Sequence, residues 1–178
     1  MFVASPLGVF AGAVFTLLMV IAAMGDVRTR RIPNGIVAVI VVSGLLYSGL
    51  MPPSLVGFLR GVGGFATGLA CWLPFYALGW LGAGDVKLFA AAGAWLGPVR
   101  TIEGSLIAAL LGAVLALLWM VRSRGIKHSV ETLGIAATLP GVLAETSGSP
   151  DRGRSLPYGV AMAAGALCAA WVPGLLFS

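Results

Sequence analysis

Two aspartates stand in nearly the same short phrase at two distant points of the chain. Residues 24–28 have the sequence Met-Gly-Asp-Val-Arg around Asp26, and residues 82–87 have Gly-Ala-Gly-Asp-Val-Lys around Asp85. Two carboxylates within hydrogen-bonding range do not both ionise cheaply, so one of them keeps a proton and the pair titrates as a unit. One acid beside one base is what hydrolysis of an amide by an activated water requires.

Residues for other hydrolytic mechanisms are missing from the sequence. His128 is the single histidine, so a Ser-His-Asp triad has no support, and there is neither a Gly-x-Ser-x-Gly nor a His-Glu-x-x-His phrase. The two cysteines lie in apolar stretches without a Cys-x-x-Cys pair, which predicts small core residues rather than a disulfide or a metal site. The remaining acids are predicted to lie away from the pair or in a solvated connection: Glu103, Glu131, Glu145 and Asp151.

Each aspartate taken alone is also compatible with a simple turn salt bridge to a neighbouring cation, Arg28 or Lys87. The repetition of the phrase favours a functional pair instead. Gly82 and Gly84 permit a substrate strand to approach Asp85 closely, because glycine has no side chain to obstruct it. These two cations either bind negatively charged groups at a membrane face or reflect only the general enrichment of cations in cytoplasmic turns.

The composition is that of a polytopic membrane protein. Of 178 residues, 59% are hydrophobic and only 10% are charged, and the mean hydropathy is +1.02. Soluble domains carry about a quarter charged residues. The net charge of +5 does not indicate nucleic-acid binding, because the cations lie in a few turns between apolar runs. The first apolar run is too long for the core of a signal peptide and is predicted to be a retained membrane helix.

We predict an all-α fold with about six membrane segments, the fourth of which is short. Its 13 residues make about 20 Å of helix, less than the roughly 30 Å of a bilayer core. It is therefore a short helix, a helix extended by unwinding around Gly84, or a re-entrant segment. A long connection at about 122–155 is predicted to be a cytoplasmic loop that acts as a tether or a lid. The six predicted segments are 6–24, 34–51, 56–80, 86–98, 101–121 and 156–176.

The distribution of lysine and arginine predicts the orientation. With both ends of the chain outside, nine of the eleven cations fall in cytoplasmic turns, and only Arg60 and Arg100 lie outside. Because cations are enriched on the cytoplasmic side, both aspartate phrases are predicted to face the cytoplasm.

Glycines recur at three- or four-residue spacing on the third segment, at Gly57, Gly61, Gly64 and Gly68. Small residues at helical spacing let membrane helices approach closely. We expect this stripe to pack helices together, and to bring the second and third segments together beside the aspartates.

Three phrases together resemble the motifs of the type IV prepilin peptidases. Residues 26–34 are similar to the first aspartate motif of that family, with Ile-Pro-Asn at its end. Residues 82–88 match its Gly-x-Gly-Asp-x-Lys-Leu motif, and residues 157–159 resemble its Pro-Tyr/Phe-Gly phrase. The phrases occur in the family's order along the whole chain.

The resemblance implies a GxGD-type intramembrane aspartic protease in the bacterial inner membrane, with its active site at the cytoplasmic face. Asp26 and Asp85 would be the catalytic pair, sharing a proton and activating water. The substrates would be prepilins or pseudopilins, cut between a short basic leader and an apolar helix. Substrate-binding or supporting roles would fall to Gly82, Gly84, Lys87, Pro33, Asn34, Pro157, Tyr158 and Gly159.

The sequence differs from the family's larger members, and these differences limit the domains and activities that we expect. Those members carry an N-terminal zinc-binding region and methylate the new N-terminus, whereas here the first apolar run begins near Met1 and no cysteine pair exists. We therefore expect one membrane peptidase domain over residues 1–178, without metal, cofactor or methyltransferase activity. The compact form is most similar to the peptidases of Flp (tight adherence) pili, and archaeal preflagellin peptidases share its two-aspartate pattern. Signal-peptide peptidases differ, because a Pro-Ala-Leu phrase is absent here.

The sequence thus predicts a leader peptidase whose partners are prepilins and the lipid bilayer, with no nucleic acid; its oligomeric state stays open. Two alternatives remain at this point. One is a small ion- or proton-coupled transporter that uses the two aspartates, since intramembrane carboxylates often serve such relays. The other is a structural subunit of a secretion complex, which would tolerate loss of both carboxylates.

Overall fold

The computed structural model describes residues 6–29, 32–50, 55–124 and 158–172, and these form six α-helices without a β-strand in the described ranges. The prediction of an all-α fold is confirmed. A chain this apolar folds into helices because a helix satisfies its backbone hydrogen bonds internally, without water. The helices are α1 (Pro6–Thr29), α2 (Asn34–Leu50), α3 (Leu55–Ala77), α4 (Ala83–Leu96), α5 (Pro98–Arg124) and α6 (Tyr158–Trp171).

Three of these helices, α1, α3 and α5, are long and apolar enough to cross a membrane, and α2 and α6 are shorter apolar helices. Large apolar side chains are exposed on the outer faces of the bundle, among them Phe10, Leu46 and Leu110. An exposed apolar surface this extensive is expected where lipid rather than water surrounds the protein. The predicted loop at 122–155 begins within α5, which continues to Arg124, and the rest of it lies outside the described residues.

The short fourth helix forms the centre of the bundle. Every residue from Leu88 to Leu96 is buried, and α4 packs against α2, α3, α5 and α6. A helix that is apolar on all sides is one that neighbours surround completely. The sequence left three structures open for this segment, and the structure is a short helix. It begins three residues earlier than predicted, at Ala83, so that Gly84 and Asp85 lie within its first turn.

The glycine stripe of α3 does pack helices together, but mostly against α4. A Cβ on Gly64 would overlap the Gly93 carbonyl oxygen, and one on Gly68 would lie 2.8 Å from the Cα of Ala90. Gly61 also meets α2, where a Cβ would lie 2.9 Å from that of Ser48. The stripe therefore fixes the crossing of α3 and α4, and at Gly61 it also brings α3 against α2.

Aromatic and polar contacts attach α1 and α2 to the same central helix. The Trp95 ring lies 5.4 Å from that of Phe15 on α1 and 5.3 Å from that of Tyr47 on α2, between centroids. The Trp95 indole N–H donates to the Ile40 carbonyl at 2.9 Å. Because buried polar groups are costly to leave unpaired, this bond helps to fix the register of α4 against α2.

The turn between α3 and α4 directs the chain into the site. Gly79 has a φ of 75°, and its N–H donates to the Tyr76 carbonyl at 2.9 Å, while the Trp80 N–H donates to Phe75 at 3.0 Å. A glycine in this left-handed conformation is a common way to end a helix. The chain then reaches Gly82, whose carbonyl accepts from the backbone of Asp85 at 3.1 Å as α4 begins.

Candidate active site

Asp26 lies in the last turn of α1, with its side chain only 8% exposed. The backbone N–H of Gly159, the second residue of α6, donates to Asp26 Oδ2 at 3.0 Å. The two residues are 133 positions apart in the chain, so this bond joins the end of α1 to the start of α6. A buried carboxylate requires such a donor, because an unpartnered charge away from water is very costly.

Asp85 lies in the first turn of α4 and is partly buried. This turn is at the end of a helix of 14 residues, about 21 Å long, which is too short to cross a bilayer core alone. Burial raises the pKa of Asp85 to about 7, and the charge of Asp26 adds to the shift. A hydrogen bond with the Gly82 backbone opposes it. Asp26 and Asp85 therefore act on each other electrostatically.

Both aspartates line one cavity of about 350 Å³ at this end of the bundle. Its walls come from the end of α1, the start of α2 and the turn that leads into α4. This volume is large enough for several water molecules or a short length of peptide backbone. The lining residues are Asp26, Ile32, Asn34, Gly82, Ala83, Gly84, Asp85 and Lys87.

The structure brings four of the eight predicted supporting residues to this cavity, namely Gly82, Gly84, Asn34 and Lys87. Asn34 and Lys87 line it with exposed side chains. Pro33 does not line it; its carbonyl accepts from the backbone of Ile36 at 3.1 Å and so starts α2. Tyr158 is partly buried, close to Gly112 of α5, where a Cβ would lie 2.7 Å from its ring. Pro157 lies outside the described residues.

Neither of the two glycines before Asp85 is required by its backbone conformation. Gly82 has φ −75° and ψ 147°, which any residue adopts, and Gly84 is helical. A Cβ on Gly82 would lie 3.2 Å from Asp85 Oδ2, whereas one on Gly84 would make an ordinary contact with Ile32 at 3.5 Å. Gly82 therefore keeps room beside the carboxylate, and Gly84 is not required for the fold of this turn.

Two contributions to the site were not singled out in the sequence. Ile32 is buried and forms an apolar wall of the cavity. Its position in the sequence could have identified it, because it lies between a run of arginines and the Pro-Asn pair at which α2 begins. The backbone donor of Gly159 was also missed, because the resemblance implies only a substrate-binding or supporting role for this residue. Within the described ranges, no group of three or more His, Cys, Asp or Glu residues is placed to hold a metal ion.

Comparisons with known proteins relate this chain to one family. The model of the type IV leader peptidase family matches residues 13–117, a stretch that contains both aspartates. The chain is 35% identical over 101 residues to a prepilin leader peptidase/N-methyltransferase of Pectobacterium carotovorum, covering 53% of this chain and 36% of the relative. It is 39% identical over 100 residues to the leader peptidase HopD of Salmonella typhimurium, and this alignment covers 53% of this chain and 62% of the relative.

A further prepilin leader peptidase/N-methyltransferase, from Dickeya chrysanthemi, is 35% identical over 112 residues, covering 59% of this chain and 38% of the relative. The aligned part is thus well under half of the two peptidase/methyltransferase relatives. No solved structure matches the chain. The family model nevertheless covers more than half of the chain and includes the paired aspartates, and on that basis the chain belongs to the type IV leader peptidase family.

Proposed function

We propose that the protein is a membrane aspartic endopeptidase that removes the leader peptide from type IV prepilins and pseudopilins. The observation that carries the proposal is that Asp26 and Asp85 line a single cavity at one end of a helical bundle. Membership of the leader peptidase family and the relatives' names support the same activity.

The proposed reaction uses one ionised and one protonated carboxyl group. Water attacks the carbonyl carbon of the scissile peptide and gives its proton to the ionised carboxylate, while the protonated carboxyl gives its proton to the carbonyl oxygen. The resulting diol collapses as the carbon–nitrogen bond breaks. The nitrogen takes the proton that came from water, and a diol hydroxyl returns a proton to the other aspartate. The pair thus ends as it began, and one water has been consumed.

The site is proposed to face the cytoplasm of a bacterial inner membrane. Arg28 and Lys87 lie at the end of the bundle that holds the aspartates, while Arg60 and Arg100 lie at the opposite end, beside Gly97 and Ala169. Together with the arginines of the adjoining turn in the sequence, this asymmetry supports the positive-inside orientation. The apolar helix of the substrate would lie in the bilayer beside the enzyme, which holds the leader junction near the aspartates.

Leader cleavage by the purified protein in liposomes tests the proposal. A Flp-type prepilin and a longer type IV prepilin are supplied as substrates, and the products are identified by intact mass and N-terminal sequence. We expect a single cut before the apolar helix, with the Flp-type precursor cut faster. Failure to cut either precursor, by a protein that is inserted and helical, would refute the proposal.

The transporter alternative places different demands on the site. A relay across the bilayer needs carboxylates along the path, whereas Asp26 lies within one turn of the end of α1 and Asp85 in the first turn of α4. This placement favours chemistry at the membrane margin. Proton flux into the same liposomes, measured with and without the Asp26→Asn substitution, is expected to be equal.

The pH dependence of cleavage follows from the raised pKa of Asp85, which is about 7. A carboxyl with a raised pKa is protonated below that value and charged above it. The proton that the reaction needs is therefore present below about pH 7 and is lost above it, so kcat/KM is expected to fall about tenfold per pH unit above pH 7.5. Initial rates between pH 5.5 and 9.5, with helicity as the control for folding, measure this. A rate that stays level to pH 9 would contradict a shared proton.

A further inference from the structure

We propose that Gly159 is a positioning residue that gives the two aspartates different roles. Through its backbone N–H it holds Asp26 as the ionised carboxylate that takes the proton from water, and Asp85 is left as the group that carries the shared proton. This inference rests on the proposed peptidase function.

The first support is the direction of the hydrogen bond. Gly159 is the second residue of a helix of 14 residues, and the N–H groups of a helix's first turn have no partner within the helix. One of these donors points at Asp26 Oδ2 at a distance of 3.0 Å. A donor at the positive end of a helix stabilises a charged carboxylate more than a neutral carboxyl.

The second support is the lack of space at Gly159. A Cβ there would lie 2.6 Å from Asp26 Oδ2, 2.9 Å from its Cγ and 3.0 Å from its Cβ. The carboxylate of Asp26 is thus packed directly on the backbone at the start of α6. Any larger residue would have to push the carboxylate away from the N–H that holds it.

The other charged and polar groups near the two aspartates are consistent with these different roles. Asp85 also has a hydrogen bond with the backbone, at Gly82, but its burial outweighs that bond, and its pKa is raised. Lys87 lines the cavity from α4 with an exposed side chain. Tyr158, at the start of α6, lies near enough to Asp85 to feel its charge. Arg28, on the same helix as Asp26, is exposed and lines a groove between α1 and α6 outside this cavity. The Gly159 N–H, in contrast, donates directly to the Asp26 carboxylate.

The two possible role assignments respond differently when this N–H is removed. If Asp26 is ionised in the active form, the N–H stabilises both the singly and the doubly ionised pair equally. Its loss then moves only the acid limb of the pH profile, to higher pH. If Asp85 is the ionised group instead, the N–H acts only on the doubly ionised pair, and its loss moves only the alkaline limb.

The experiment replaces the Gly159 amide by an ester, using glycolic acid in cell-free synthesis into lipid nanodiscs. This exchanges the N–H for an oxygen without adding a side chain. We expect the acid limb of kcat/KM to move up by about one to two pH units, with the alkaline limb unchanged. The matched control is the ester at Val160, the neighbouring peptide unit, which is expected to keep the wild-type profile.

A shift of the alkaline limb would overturn the assignment, and so would a uniform loss of rate without any shift in pH, which would indicate a structural role alone. Gly159→Ala provides a second test that needs no special chemistry. It retains the N–H but displaces the carboxylate, and it is expected to lower kcat at least tenfold with little change in KM. An unmodified protein that cuts no prepilin would refute the proposed function itself, and this result is distinct from every outcome above.

Discussion

Asp26→Asn and Asp85→Asn should each reduce prepilin cleavage at least about a thousandfold, while the protein still inserts and folds. Asparagine has nearly the shape of aspartate, but it neither takes a proton from water nor gives one to the substrate carbonyl. Loss of one member of a cooperating catalytic pair removes most of what the pair contributes, so the double variant should be no slower than either single one. The measurement is leader cleavage, with the rate normalised to the amount of enzyme in the membrane.

Glu103→Gln provides a matched control for this result. Glu103 is, like Asp26, a buried carboxylate, only 2% exposed, near the start of α5. The next residue, Gly104, faces Ala169, which lies ten residues along α6 from the Gly159 that holds Asp26. Ten residues of helix rise about 15 Å, so the same chemical change is made well away from the pair. This variant should retain cleavage once its membrane level is matched. An Asn variant at either aspartate that kept a tenth of the wild-type rate would exclude the proposed mechanism.

The sequence predicts most of the fold because a long apolar run forms a helix in a bilayer. The ends of α2 and α3, for example, lie within a few residues of those predicted. It could not decide the structure of the fourth segment, since 13 apolar residues suit a buried helix as well as a re-entrant one. That choice depends on whether other helices surround it, which is a property of the packing. The same applies to the glycines of α3, whose spacing predicts close contact but does not identify α4 as the main partner.

The aspartate side chains of the candidate site could be predicted from the sequence, whereas its backbone hydrogen bond could not. Asp26 and Asp85 stand out because a carboxylate at a membrane margin is rare and costly, and the repeated phrase connects them. The contact between Gly159 and Asp26 involves a backbone N–H, which every residue except proline has, so the sequence does not mark the donor. The need for glycine at this position follows only from the packing of the carboxylate against it. Only the packing of α6 against α1 selects this particular donor.

The largest effect on stability is expected from Gly64→Ala, because the new methyl group would meet backbone on every side. It would overlap the Gly93 carbonyl oxygen and lie 2.8 Å from the Cα of Gly97, and none of these atoms belongs to a side chain that can rotate away. The two helices must therefore move apart, and overpacking of this kind costs about 3 kcal/mol. Unfolding in bicelles under increasing denaturant measures the loss.

The comparison variant is Gly35→Ala in the first turn of α2, where a Cβ would have nothing within 4 Å. Alanine favours a helix over glycine by up to about 1 kcal/mol, so this variant should be as stable as the wild type or more so. Because the crossing of α3 and α4 also sets the position of Asp85, Gly64→Ala should lose cleavage along with stability, and Gly35→Ala should lose neither. Equal stability of the two variants would mean that α3 and α4 do not cross as closely as Gly64 and Gly93 require. The placement of Asp85 would then have to depend on the contacts of α4 with α2 and α6 instead.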